Sequence, residues 1–236
     1  MTCLLLDPET AVLVVHYLEN SRAHRILWLL EELDLPYEIK RYKRGRDMEA
    51  PASLKAVHPL GKSPVITDGD LVIAESGAIV SYLLDTYDSS DSLRPAMGTP
   101  ERRRFDYWLH YSEGSAMPLL VMKLVFTAIP ERVPFFVRPV ASLITKGVST
   151  QLLDPQIAEH VAFWQAELAR DGWFAGDRFS AADIMMSFPV EAGADRISFG
   201  ENCAAIRHWA DAIRQRPAYQ AALKAGGAYA YTATSM

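Results

Sequence analysis

The sequence predicts two units of different class, an α/β unit over residues 12–88 and an all-helical unit over residues 101–220. Three observations carry this. Short β-branched runs alternate with helical patterns before residue 88, and strand signals fade after residue 100. Between them, residues 89–100 are rich in Ser, Asp and Pro, the composition of a linker. Residues 1–11 and 221–236 are read as terminal extensions.

Each element has its own signal. Val12-Leu13-Val14-Val15 reads as a strand, and Ala23, Ile26, Leu27, Leu30 and Leu33 then recur at helical spacing, with Arg22, Arg25, Glu31 and Glu32 on the other faces. A second strand begins at Tyr37. Pro64–Thr67 and Leu71–Ala74 flank Asp68-Gly69-Asp70, a turn sequence that predicts a β-hairpin. Ile79, Val80, Leu83, Leu84 and Tyr87 restore the helical period. The order is β-α-β, an irregular link, then β-β-α. Two parallel strands joined by a right-handed crossover and followed by a hairpin make a thioredoxin-like arrangement. Beyond the linker, helices are predicted over Glu101–Phe126 with a break near Pro118, over Gln156–Arg170, Ala181–Ala192 and Ala204–Arg216. The proline-bearing stretch Ile129–Pro155 predicts a broken helix.

Composition narrows the function. Half the residues are hydrophobic and 22% are charged, which excludes global disorder. A net charge of −5 argues against nucleic-acid binding, because phosphate contacts need a basic face. The two cysteines, Cys3 and Cys203, form no CxxC, so neither a disulfide framework nor a cysteine-rich metal site is expected. Pro118–Ile129, interrupted by Lys123, is too short to cross a bilayer, and Leu4-Leu5-Leu6 runs straight into Asp7 without a basic leader. The expectation is a cytoplasmic protein with no membrane, nucleic-acid or metal partner.

Three short motifs bear on chemistry. At the end of the first strand Ser21 opens a helix, either as a plain cap or with its hydroxyl turned toward a ligand at the positive end of the dipole. In Gly61-Lys62-Ser63-Pro64 the proline stands where a strand begins. A cis bond there would free the Ser63 backbone to pair with an extended peptide; a trans bond would leave a plain edge strand. At Glu75-Ser76 a strand feeds the unit's second predicted helix, where Ser76 can serve as a cap, or an amide and hydroxyl can suit a carboxylate and Glu75 an ammonium group.

Together these motifs resemble the N-terminal domain of the glutathione S-transferase family: Ser21 with Arg25 four residues on, Gly61-Lys62-Ser63-Pro64, and Glu75-Ser76 eleven beyond the proline. In the helical half, Trp173 to Ile184 is similar to the family's capping box and hydrophobic staple, with Ser180 as the cap, Asp183 reaching back and Phe179 packing on Ile184. The resemblance implies glutathione as co-substrate, held by Lys62, Ser63, Glu75 and Ser76, and a helical pocket for a small apolar electrophile or organic hydroperoxide. It implies Ser21 as the hydroxyl that activates the thiol, with Tyr17 as the competitor, no metal, and a homodimer. Tyr107, Trp108, His110, Tyr111 and Met117 divide between that pocket and the core, and the basic run Lys40–Arg46 between a glutathione contact and a solvated loop. A non-catalytic binding or assembly module on the same scaffold is the alternative.

Overall fold

The computed structural model describes residues 12–45, 49–194, 199, 202–227 and 229–231. Its contacts divide the chain into two compact units, Met1–Ser89 with Arg216–Tyr229, and Ser90–Gln215 with Ala230–Met236.

The first unit is built on a mixed four-stranded sheet of order β2-β1-β3-β4. Strand β1 (Leu13–Leu18) runs parallel to β2 (Tyr37–Tyr42) with Val15 opposite Ile39, and antiparallel to β3 (Val65–Asp68) with Val15 opposite Ile66. The predicted hairpin joins β3 to β4 (Leu71–Ala74), with Gly69 at φ +54° supplying the left-handed turn residue. Strand β1 outruns its β-branched signal because His16, Tyr17 and Leu18 find partners in Lys40, Arg41 and Tyr42.

Helix α1 (Ala23–Glu32) crosses between the parallel strands, and α2 (Ala52–Lys55) supplies one short turn in the irregular link. Helix α3 (Ser76–Tyr87) follows the hairpin. Asn20 sits at φ +50°, outside the right-handed helical region, so α1 begins later than the Asn20–Ser21 signal suggests. Every residue of α1 from Ala23 to Leu30 is buried, because the chain returns to cover it with the last helix, Pro217–Gly226. Tyr219 meets Trp28 edge to face at 5.0 Å, and Arg216 forms a two-point ion pair with Glu32 at 2.6 and 2.7 Å. Residues 221–226, in the predicted extension, complete that helix.

Among the described residues of the second unit, every regular element is a helix. Thr99 caps α4 (Pro100–Tyr111), accepting from the Arg102 N–H at 3.1 Å. A π-turn at Ser112–Ala116 leads to α5 (Met117–Arg132), and another at Ser149–Leu153 joins α6 (Arg138–Val148) to α7 (Asp154–Asp171). Each π-turn ends two residues before a proline, Pro118 or Pro155. A missing N–H leaves the carbonyl four residues back without its donor, and the wider turn absorbs that gap. The continuous helical run Pro100–Arg132 is long and apolar enough to span a membrane by length and composition; Phe105, Trp108, Leu119 and Leu120 on it are buried in the helical unit's core.

Helices α8 (Ala181–Ala194) and α9 (Ala204–Arg214) complete this unit, and Pro217–Gly226 is α10. Asp183 organises the capping box: its carboxylate accepts from the Ser180 N–H at 2.9 Å, the Phe174 N–H at 3.0 Å and the Trp209 indole at 2.9 Å. Burial pushes this carboxyl up to about 6, against those hydrogen bonds. Ile184 is fully buried, while the Phe179 ring meets Trp173 edge to face at 5.4 Å.

Candidate active site

The period of a strand separates two candidate hydroxyls. Along β1, Leu13, Val15 and Tyr17 face one way and His16 and Leu18 the other. Tyr17 therefore points toward α1 and α10, where its hydroxyl lies 3.4 Å from the position a Cβ on Gly226 would occupy. It is 2% exposed, and its hydroxyl has no hydrogen-bond partner among the described residues. Burial pushes the phenol above its ordinary range, with the nearby Arg41 charge pulling the other way. Arg41 itself donates to the last carbonyls of α10, Ala225 and Gly226, the latter at 2.6 Å, complementing the negative end of that helix.

On the opposite face, the His16 ring meets the Tyr42 hydroxyl at 2.8 Å, and burial with Lys40 beside it holds the imidazole below its usual value. The chain then leaves β1 through Glu19 and Asn20, and the Asn20 turn delivers Ser21 to the start of α1. The Ser21 hydroxyl accepts from the Ala23 N–H at 3.2 Å, as a cap does, and also lies 3.2 Å from the Ser63 hydroxyl.

Ser63 precedes Pro64, and the bond between them is cis. Sheet pairing begins at Val65, so the Ser63 backbone stands beyond the register of β1 and β4. Its side chain is held to β1: Ser63 Oγ donates to the His16 carbonyl at 3.0 Å and accepts from the Leu18 N–H at 3.3 Å. Gly61 sets up this approach. It sits at φ +56°, and a Cβ there would come within 2.8 Å of Lys55 Cγ, so conformation and space both require glycine. Lys62 beside it is exposed.

The third corner is the start of α3. Glu75 adopts φ +72° and ψ +125°, a sparsely populated conformation for a residue with a side chain, and its carboxylate is exposed. Ser76 is buried, and its hydroxyl accepts from Arg25 Nη2 at 3.0 Å, leaving its own proton to donate. Arg25 corrects a sequence expectation: read as part of a polar face of α1, it is 0% exposed, because its charge is engaged inside the unit rather than in solvent. The four-residue spacing from Ser21 was its only sequence signal.

The remaining sequence candidates disperse. In the helical unit, Tyr107, His110 and Tyr111 line one recess with Arg103 and Asp106, while Trp108 and Met117 are buried. Of the basic run, Lys40 and Arg41 lie in β2 and Arg44 donates to the Glu19 carbonyl at 3.2 Å; Arg46 falls outside the described residues, as does Cys3. Cys203 is buried at the start of α9. Among the described residues no three His, Cys, Asp or Glu side chains are grouped to hold a metal ion.

The chain is similar to known proteins over most of its length. Residues 11–85 match the glutathione S-transferase N-terminal domain and residues 117–217 the C-terminal domain. Glutathione S-transferase 3 of Schizosaccharomyces pombe is 34% identical over 208 residues, covering 88% of this chain and 85% of that protein. A crystal structure of a glutathione S-transferase from Actinobacillus pleuropneumoniae superposes with a TM-score of 0.75 at 31% identity, covering 95% of this chain and 97% of the other. The theta-class glutathione S-transferase of Xanthomonas axonopodis pv. citri, solved with glutathione bound, gives a TM-score of 0.69 at 27% identity over 90% of this chain and 97% of that one. The protein, a thioredoxin-like unit followed by an all-helical one, belongs to the glutathione S-transferase family.

Proposed function

We propose that the protein is a glutathione transferase in which Ser21 activates the glutathione thiol for attack on an apolar electrophile. The observation that carries this reading is the position of the Ser21 hydroxyl, at the N-terminus of α1 and 3.2 Å from Ser63, the residue before the cis proline. The free Ser63 backbone suits the cysteinyl unit of an extended glutathione. Ser76 and the α3 N-terminus suit the γ-glutamyl carboxylate, exposed Glu75 suits its ammonium group, and Lys62 suits the glycine carboxylate. The alternative hydroxyl, on Tyr17, is buried against α10 in this structure.

The energetics are modest. A free thiol with a pKa of about 8.5 is only a few per cent ionised at neutral pH. A donated hydroxyl proton and a helix N-terminus that together lower this by roughly one to two units contribute about 1.4 to 3 kcal/mol. The thiol proton leaves to solvent; Ser21 remains a hydrogen-bond donor and takes no proton. The thiolate forms the new bond to the electrophilic carbon, and the leaving group departs with its electron pair. With an organic hydroperoxide, the same thiolate attacks the terminal oxygen and the O–O bond breaks. The alkoxide takes a proton from solvent and leaves as the alcohol, and the sulphur becomes a sulfenic acid, which a second glutathione converts to glutathione disulfide and water. Tyr107, His110 and Tyr111 give the helical unit an aromatic surface suited to an apolar co-substrate. The same reading takes the chain as a cytoplasmic homodimer, supported by the family resemblance.

Calorimetry with glutathione, paired with turnover of an activated aromatic halide, tests this reading. Binding at millimolar glutathione or below is expected, with a rate that falls about 10- to 100-fold in Ser21→Ala. Absence of binding contradicts the reading, and tight binding without turnover on any electrophile or hydroperoxide favours the non-catalytic module.

A further inference from the structure

The hydroxyl contacts around Ser63 fix the direction of a short proton chain. A serine hydroxyl has one proton and two lone pairs. Ser63 Oγ donates its proton to the His16 carbonyl, which can only accept, at 3.0 Å. It also accepts from the Leu18 N–H at 3.3 Å, which leaves one lone pair for Ser21 at 3.2 Å. The Ala23 N–H already donates to Ser21 Oγ at 3.2 Å. The arrangement that satisfies all four contacts runs in one direction, from the Ala23 amide to Ser21, from Ser21 to Ser63, and from Ser63 to the His16 carbonyl.

We propose that Ser63 acts through its side chain as a positioning residue, accepting the Ser21 O–H hydrogen bond until a thiolate accepts it instead. This rests on Ser21 as the activating hydroxyl. With a protonated thiol in the site, the Ser21 O–H stays hydrogen-bonded to Ser63 Oγ. Ionisation of the thiol turns the Ser21 O–H from an oxygen to the sulphur, while Ser63 keeps its bonds to His16 and Leu18. Ser63 therefore sets two things. It orients Ser21 before ligand arrives, and it competes with the thiolate for the one proton Ser21 can offer. A neutral hydrogen bond lost on ionisation opposes it by about half a unit to one unit of thiol pKa.

The test is the pH midpoint of thiolate absorbance from bound glutathione in the full-length protein, for wild type, Ser63→Ala, Ser63→Val, Ser63→Thr, Ser21→Ala and the double variant S21A/S63A. The alanine and valine variants are expected to lower the midpoint by about half a unit to one unit, and threonine, which keeps the hydroxyl, to restore it. Circular dichroism and glutathione binding check folding, and Ser63→Val serves if alanine fails to fold. In the S21A background the Ser63→Ala shift should vanish, because the two hydroxyls act as one unit. An unchanged or raised midpoint in glutathione-binding Ser63→Ala or Ser63→Val overturns the proposal, as does the same shift with and without Ser21. Failure of the underlying reading looks different: Ser21→Ala then matches wild type.

Discussion

Arg25 Nη2 donates to Ser76 Oγ across 3.0 Å, tying the first turn of α1 to the first residue of α3. A buried guanidinium is costly unless its donors are engaged, and here one of them fixes a hydroxyl at the Glu75–Ser76 corner. The link joins two of the three sequence motifs through the interior.

Removing the Ser76 hydroxyl takes an acceptor from a buried charge. Ser76→Ala is expected to lower unfolding free energy by about 1.5 to 3 kcal/mol, read from urea denaturation. The same variant should weaken glutathione binding, because its proton donor at the α3 N-terminus is gone. Ser76→Thr, which keeps the hydroxyl, should recover much of both.

Glu75 presents the opposite case, an exposed charge on a strained backbone. Glu75→Gln removes the charge without changing the fold, so stability should stay within about 0.5 kcal/mol of wild type. Glutathione affinity should fall about 10- to 100-fold, the worth of a charge-assisted contact to an ammonium group. Equal affinity by calorimetry would remove Glu75 from the site.

His24 makes folding sensitive to acid. It is enclosed by α10, stacked on Tyr229 at 4.3 Å with Tyr219 edge-on at 5.4 Å, and burial lowers its pKa to about 4. Above pH 6.5 the imidazole is neutral in both folded and unfolded chains. As pH falls from 6.5 toward 4, the unfolded chain takes a proton that the folded one refuses, and stability is lost, by about 3 kcal/mol in all. Asp183 works the other way: with a folded value near 6, it takes up its proton before the unfolded chain does, so stability rises as pH falls from 6 toward 3.8. The His24 contribution is therefore read as a difference. The stability of His24→Phe relative to wild type should rise steadily between pH 6.5 and 4, and a flat difference would contradict a neutral buried imidazole.

Much of this architecture was legible because its signals are local. The β-branched run at Val12–Val15, the Asp68-Gly69-Asp70 turn and the spacing of Ile79 to Tyr87 each report on their own segment. The partner of a surface is not local. Helical period can mark an apolar stripe on α1, but nothing in it shows that Pro217–Gly226 covers His24 and Trp28, or that Arg25 turns inward to Ser76 at the start of α3. In the same way, Ser21 and Ser63 were each visible as motif residues, while their mutual contact depends on the Asn20 turn and on the approach that Gly61 allows. The polar strand end, His16–Leu18, was missed because its partners come from β2.

The most direct test of the account is the ionisation of bound glutathione, followed by thiolate absorbance against pH in wild type, Ser21→Ala and Tyr17→Phe. A wild-type midpoint roughly one to two units below the free thiol's value of about 8.5 is expected, with a return toward that value in Ser21→Ala and no change in Tyr17→Phe. A wild-type midpoint at the free value, or one that moves with Tyr17 and not with Ser21, would contradict it.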